Sequence, residues 1–280
     1  QRKAACELAK ALTNQFPDAM LRSVGAYATA LLQQHANDPA GGSWKAKDAA
    51  MSLVIAVAAK SRTNARGATE TRAIPALGDV ARFFDAHVAT ELQKADAGFQ
   101  TQHGGDDVGA AVCFADALKF LTVFRAHVPK ASVARVLPSV VRLLAHPANV
   151  AHSYAAICLE RLMTTRGGAS GVPDAGLNAD DLAPHLQPLL VNLFGVFALP
   201  DSRENEYAMR LAQRLIAKLG ANIAPAAETC ADRLAAMLVE TCANPRNPAF
   251  SHYLFESVAA LVAVGASDAN ALAVFERAFF

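Results

Sequence analysis

The sequence has few of the residues on which enzymes and disulfide-rich proteins depend. Aromatic residues make up 7% of its 280 residues, and its five cysteines form no C-x-x-C pair. An odd, widely spaced set of cysteines is typical of a reducing compartment and not of a disulfide scaffold. The eight histidines show no H-x-x-x-H or H-E-x-x-H spacing, and no G-K-[ST] follows the glycine-rich stretch at 167–171. The sequence therefore predicts no catalytic residues, no cofactor and no metal site.

Excess charge and long apolar runs are also lacking. The formal net charge is +1, which gives no electrostatic reason to expect nucleic acid as a partner. The most apolar stretch, 182–199, is interrupted by Pro184, His185, Gln187, Pro188 and Asn192. A membrane span does not tolerate so many polar and helix-breaking residues, so we expect no membrane insertion.

Strand patterns are missing as well, whereas helical patterns extend along the chain. No alternating apolar run is bounded by hairpin turns, and alanine, the best helix former, is abundant. Apolar residues recur three and four apart over most of the length, as they do on one face of an amphipathic helix. We therefore predict an all-α protein.

A small-residue helix pattern recurs at intervals of roughly 40 to 55 residues, which is the period of HEAT and armadillo repeats. Because such units cannot bury their apolar faces alone, they stack. We predict a HEAT/armadillo-like superhelix with residues 1–280 forming a single segment of about six helix pairs, truncated at both ends. The copies begin near Arg2, Lys47, His152, Asn205 and Ser251, with room for another near 115–118.

Several helix boundaries can also be predicted. Ser43 is expected to cap a helix over 44–60, in which Trp44 serves as a packing anchor. A further helix is expected over 77–92. Pro138 is expected either to kink a helix over 132–145 or to mark its true start. The remaining predicted caps are Asp106 or Asp107, and Asp268.

A basic insertion between two predicted helices is the strongest candidate for a binding site. It carries Lys60, Arg62, Arg66 and Arg72, with Glu70 as the one opposing charge. Two interpretations remain open: a solvated loop, or a contact loop for an acidic or phosphate-bearing partner. Long loops in compact repeats are often functional or disordered.

Several segments of the chain resemble the exportin-2 family, also called the cellular apoptosis susceptibility proteins, within the importin-β superfamily. The likeness extends over almost the whole chain, in order and with similar spacing. It is carried by the segments 44–50, 152–162, 199–207, 250–256 and 275–279.

This resemblance implies a HEAT superhelix without catalytic residues. It would bind Ran-GTP and importin-α together in the nucleus, pass nuclear pore proteins, and release importin-α in the cytoplasm when Ran hydrolyses GTP. The implied location is the nucleus and cytoplasm, with shuttling through the nuclear envelope. The alternative is a generic HEAT-repeat scaffold or adaptor for the assembly of protein complexes.

Overall fold

Helices account for nearly all of the chain that the computed structural model describes, which is residues 2–38, 42–60, 67–99, 108–165, 176–265 and 269–279. Within those ranges, extended pairing is limited to two isolated bridges, Ala59 with Thr71 and Ile74 with Gly78. The all-α prediction is confirmed. The helices are α1 (Arg2–Gln15), α2 (Pro17–Asn37), α3 (Trp44–Ala58), α4 (Val80–Phe83), α5 (Ala89–Gln93), α6 (Val108–Phe124), α7 (Lys130–Leu143), α8 (Asn149–Thr164), α9 (Ala179–Leu182), α10 (Leu186–Val196), α11 (Glu206–Leu219), α12 (Ala227–Ala243), α13 (Pro248–Gly265) and α14 (Ala269–Phe279).

The helices pack as two layers. The first layer contains α1, α3, α6, α8, α11 and α13, and each of these contacts the next one in that order. The second layer contains the helices between them, with contacts from α5 to α7, α7 to α10 and α12 to α14. Every copy of the recurring small-residue pattern falls on a first-layer helix.

Neighbouring helices of the first layer run in the same direction. At the start of α8, Asn149 Nδ2 donates to Ser202 Oγ just before α11 (2.9 Å). At the far end, Lys218 Nζ of α11 donates to the Met163 carbonyl of α8 (3.2 Å), and these two residues lie 55 positions apart. The equivalent bond from Asn247 to the Glu204 carbonyl spans 43 positions. The separations match the recurrence seen in the sequence.

One connected core runs through the stack, from Ala9 in α1 to Phe275 in α14. Helix α8 lies at its centre, and its alanines Ala155 and Ala156 are fully buried. Small side chains at these positions let neighbouring helices approach closely, and burial of the apolar face is what stabilises such a stack.

Close approach also explains the position of the single tryptophan. The backbone of Gly109 in α6 passes so near Trp44 that a Cβ there would lie 2.5 Å from Trp44 Cδ1. Trp44 is half-buried against that helix. It therefore packs at the α3–α6 contact, as expected for a packing anchor.

The cap predicted for the helix that begins at Trp44, and the start predicted for the helix over 77–92, differ from the structure. Ser43 precedes α3 but makes no capping bond to it; its hydroxyl donates to the Asp38 carbonyl and contacts His35 Nδ1 at 3.2 Å. The helix predicted from residue 77 begins at Val80, because Gly78 has φ +83° and the Asp79 carboxylate accepts from the Arg82 N–H at 2.8 Å. Both corrections reflect tertiary or turn contacts that compete with a local cap.

Other predicted features have mixed outcomes. Pro138 lies inside α7, which runs from Lys130 to Leu143, so it does not mark the start of the helix. Between α4 and α5 the chain forms one π-helical turn, Phe84–Val88, which the sequence did not indicate. The caps predicted at Asp106 or Asp107 and at Asp268 lie outside the described residues. Among the helices that are described, none is long and apolar enough to cross a membrane.

Candidate functional site

Two backbone hydrogen bonds join the start of the basic insertion to its end. The Lys60 N–H donates to the Glu70 carbonyl (3.0 Å), and the Arg72 N–H donates to the Ala58 carbonyl (2.8 Å). The Lys60 ammonium also lies 4.0 Å from the Glu70 carboxylate, with both side chains largely exposed. The insertion therefore leaves the end of α3 and returns to it.

The returning part of the insertion packs against the end of α6. The Ala68 N–H donates to the Val123 carbonyl (2.8 Å), and His127 Nε2 lies 2.9 Å from the Ala68 carbonyl. Gly67, at φ +92°, comes so close that a Cβ there would lie 2.5 Å from the Val123 carbonyl oxygen. Ala68 is fully buried as a result.

These contacts tie part of the insertion to the core. The Arg72 guanidinium donates to Asn14 Oδ1 of α1 (2.8 Å) and to the Val57 carbonyl of α3 (3.5 Å). Arg72 therefore also joins two helices. Arg62 and Arg66 lie outside the described residues. Of the predicted contact residues, Lys60 is the exposed one that the structure describes, with a side-chain exposure of 46%.

A ladder of asparagines joins the starts of three first-layer helices. Asn205 Oδ1 accepts from the N–H groups of Tyr207 and Ala208 (3.1 Å each), while its Nδ2 donates to Ser153 Oγ of α8 (2.8 Å). Asn247 caps α13 in the same way and donates back to the Glu204 carbonyl. Each asparagine thus caps its own helix and holds the preceding unit.

An open groove of about 570 Å³ lies along this ladder. It contains the segment 204–207, which the sequence resemblance singled out. The acidic lining residues are Asp201, Glu204, Glu206 and Glu240, and the basic ones are Arg203 and Arg246. The groove is therefore net acidic.

A second feature lies on α8, α11 and α13, and the sequence reasoning missed it. The Arg210 guanidinium is stacked between the rings of Tyr207 and Tyr253, at 5.7 and 5.9 Å from their centroids. Arg161 and Arg214 flank it. We call Tyr207, Arg210, Arg214, Tyr253 and Arg161 the arginine–tyrosine surface. The spacing of Tyr207, Arg210 and Arg214, three and four residues apart, is a signal that could have revealed it.

One buried carboxylate sits beneath these three arginines. Glu160 lies 3.2 Å from Arg161, 3.9 Å from Arg214 and 4.0 Å from Arg210, and its side chain is 5% exposed. In the described part of the chain, its Oε2 atom and Arg210 Nε are buried without a hydrogen bond. The ion pairs thus leave one nitrogen of Arg210 and one oxygen of Glu160 without a hydrogen bond.

A carboxylate pair joins α3 and α6. Burial, and then a hydrogen bond and repulsion from Asp48, raise the pKa of Asp116 to about 8, although Arg2 opposes this shift. Arg2 of α1 lies 3.0 Å from Asp116 and also donates to Asp48 and Ser52. The arrangement fastens three first-layer helices together, and no further reactive group accompanies it in the residues described.

Another buried ion pair joins α3 to α5. Lys47 donates to Glu91, whose second cation, Lys94, lies 2.8 Å away. Burial would raise the pKa of Glu91, but Lys47 and Lys94 hold it below its usual value. The pair therefore anchors α5, the helix that follows the π-helical turn, to α3.

Nothing in the described ranges forms a metal-binding group of three or more His, Cys, Asp or Glu side chains. Three of the cysteines, Cys113, Cys158 and Cys230, are buried, and burial raises the pKa of their thiols to about 12, 12 and 11. Such thiols are packing groups and not nucleophiles. Both ring nitrogens of His152 also have hydrogen-bond partners: Nε2 contacts Ser202 Oγ, and Nδ1 contacts the His146 carbonyl.

A two-layer helical stack of this kind defines a repeat protein of the HEAT-solenoid class. Two family models cover the chain between them: "Cse1" matches residues 1–159, and "CAS/CSE protein, C-terminus" matches residues 160–280. The chain therefore belongs to the Cse1 family. The junction of the two models falls inside α8 and so marks no structural boundary.

The matching relatives are exportins. The chain is 33% identical to exportin-2 from Bos taurus and 34% identical to exportin-2 from Pagrus major. Each match covers 100% of this chain and 27% of the relative, so the chain spans about a quarter of the length of these proteins.

A solved structure shares the fold. The exportin Cse1 in its cargo-free, cytoplasmic state superimposes with a TM-score of 0.74 at 22% identity, covering 99% of this chain and 27% of that one. The predicted fold, an all-α HEAT-like solenoid, is thereby confirmed.

Proposed function

We propose that this chain is a segment of a nuclear export receptor that binds Ran-GTP and importin-α cooperatively and returns importin-α from the nucleus to the cytoplasm. The observation that carries the proposal is the match of the whole chain to exportin-2 relatives. Nuclear pore proteins would be further partners, and the protein would shuttle between nucleus and cytoplasm.

The architecture supports binding without catalysis. A solenoid presents a long surface, and small adjustments between stacked units add up to a change in its overall pitch. Such a molecule can couple two partners if each binds better to the same conformation.

Retention by immobilised Ran tests the proposal directly. The intact protein should be retained by Ran loaded with GTP more strongly than by Ran loaded with GDP, and added importin-α should increase retention on Ran-GTP only. Equal retention in both nucleotide states would contradict the proposal and would favour a general HEAT scaffold.

The basic insertion is the proposed local contact within this function, through Lys60, Arg62, Arg66 and Arg72. Its described residues are fixed to α1, α3 and α6 by the bonds of Lys60, Ala68 and Arg72.

Reversing two charges tests this contact. The variant Arg62→Glu with Arg66→Glu should slow assembly with Ran-GTP and importin-α, most clearly at low salt, because exposed charges act mainly on the association rate. Stopped-flow kinetics at two salt concentrations would measure it. A matched control is Arg22→Glu with Arg233→Glu, two exposed arginines on α2 and α12. Equal rates for wild type and the insertion variant at low salt would leave the insertion as solvated surface.

A further inference from the structure

The arginine–tyrosine surface has more positive charge than its surroundings neutralise. Its three arginines share the single carboxylate of Glu160, which is buried beneath them. A further buried cation, Arg125, lies close enough that burial and then repulsion from Arg161 lower its pKa. The surface is therefore net positive in a chain whose overall net charge is only +1.

The arginine side chains are also preorganised to bind a carboxylate. Arg210 lies over two tyrosine rings, and the Glu160 carboxylate lies 3.2 Å from Arg161 and 3.9 Å from Arg214. The side chain of Arg214 remains 47% exposed and that of Arg161 38% exposed. Stacked guanidinium groups lose little rotamer entropy on binding, and their planar fork suits a carboxylate.

The surface extends across three consecutive units. Arg161 comes from α8, Arg214 from α11 and Tyr253 from α13. Two glutamates on the same helices, Glu206 and Glu256, make no ion pair within 4.0 Å in the described residues. All three arginines lie within 4.0 Å of one carboxylate, so the positive charge is compact, which favours a short acidic stretch of chain over an extended polyanion.

We infer that the arginine–tyrosine surface binds an acidic segment of a protein partner, through partner carboxylates placed on Arg161, Arg210 and Arg214. An isolated surface arginine contributes little to affinity, but a preorganised group of three that shares one buried anion has charge available for a partner. The inference does not depend on the assignment of Ran-GTP or importin-α as partners.

Titration with a labelled peptide tests the inference. A fluorescent glutamate-rich peptide should bind the intact protein, and a glutamine-substituted peptide of the same length should not. Binding should weaken as salt rises, because exposed ion pairs are screened. Failure to bind the glutamate peptide at low salt would overturn the inference.

Substitutions at Arg214 locate the site, because this arginine is exposed and its loss leaves Glu160 paired with Arg161. The expected loss of affinity is about threefold for Arg214→Gln and about tenfold for Arg214→Glu. The variant Tyr253→Leu should weaken binding roughly threefold by removing one ring from Arg210. The matched control is Arg233→Glu, an exposed arginine on α12.

Two outcomes would count against this assignment even if the peptide binds. One is an equal loss of affinity in Arg214→Glu and Arg233→Glu, which would show nonspecific attraction. The other is tight binding of a phosphoserine peptide with none of the glutamate peptide, which would make the surface a phosphate site. Melting curves for each variant confirm that the fold is retained, and the milder Arg214→Gln provides the test if the charge reversal unfolds the protein.

Discussion

At the scale of single residues, Asp116 shows how burial changes the chemistry of an ordinary side chain. Its carboxyl lies 5% exposed between α3 and α6, beside Asp48 and Arg2. Burial disfavours the ionised form, and the second carboxylate adds repulsion. The proton is therefore retained in the folded state up to a pH near 8.

The pH dependence of stability follows from this shift. Because the pKa of Asp116 is raised from 3.8 to about 8 on folding, the folded state binds more protons between those values. The free energy of unfolding should therefore fall as pH rises from about 4 to about 8. The side chain at position 116 cannot ionise in the variant Asp116→Asn, so the free energy of unfolding should fall less between about pH 4 and about pH 8. Urea unfolding near both pH values would measure the difference.

The control for this experiment is an exposed aspartate. Asp232 lies on the surface of α12. The variant Asp232→Asn should keep the pH dependence of the wild type. An equally steep decline in Asp116→Asn and wild type would show that Asp116 is ionised throughout.

At the scale of helices, α8 shows what a position inside the first layer requires. Apart from its first residue, the exposed and half-exposed residues of α8 form a single stripe, which consists of Val150, Tyr154, Ile157, Arg161 and Thr164. All of its other side chains face neighbouring helices. A helix surrounded on most sides cannot accommodate large residues everywhere, so small residues recur in it.

Enlarging one of these small residues should destabilise the stack. Ala155 is fully buried in α8, so Ala155→Phe should overpack the contacts with α6 and α11 and lower stability by roughly 1–3 kcal/mol. The matched control is Ala217→Phe on the exposed face of α11. Thermal unfolding would compare them, and an unchanged melting temperature for Ala155→Phe would show that the helix contact is assigned wrongly.

At the scale of the whole molecule, most helix contacts in the described residues run between neighbours along the stack. Contacts run from α1 to α3, α6, α8, α11 and α13 in order. Stability in such an array is a sum of unit and interface contributions, so damage should remain largely local. Partners that bind at distant places must therefore communicate through many small interface changes.

Hydrogen exchange can detect this local character. In Ala155→Phe, amides of α6, α8 and α11 should exchange faster than in wild type, while those of α1 and α14 should change least. Peptide-resolved mass spectrometry would measure the gradient. Uniform acceleration along the chain would instead indicate one cooperative unit.

The sequence by itself determined the helical class, the two-helix period and the family resemblance. Burial in a stack imposes small residues at regular intervals, and this leaves a pattern that can be read without coordinates, as at Ala50, Ala155 and Ala208, all fully buried. The basic insertion was also visible, because its charges lie close together in the chain, between Lys60 and Arg72.

Only the tertiary structure decided the features that depend on residues far apart in the chain. The Ser43 hydroxyl donates to the Asp38 carbonyl and does not cap its own helix, and Arg72 is tied to Asn14 of α1. The arginine–tyrosine surface requires α8, α11 and α13 side by side, with Glu160 beneath Arg210. Local propensity fixes which segments become helices, whereas the energies of such long-range contacts appear only once the helices have stacked.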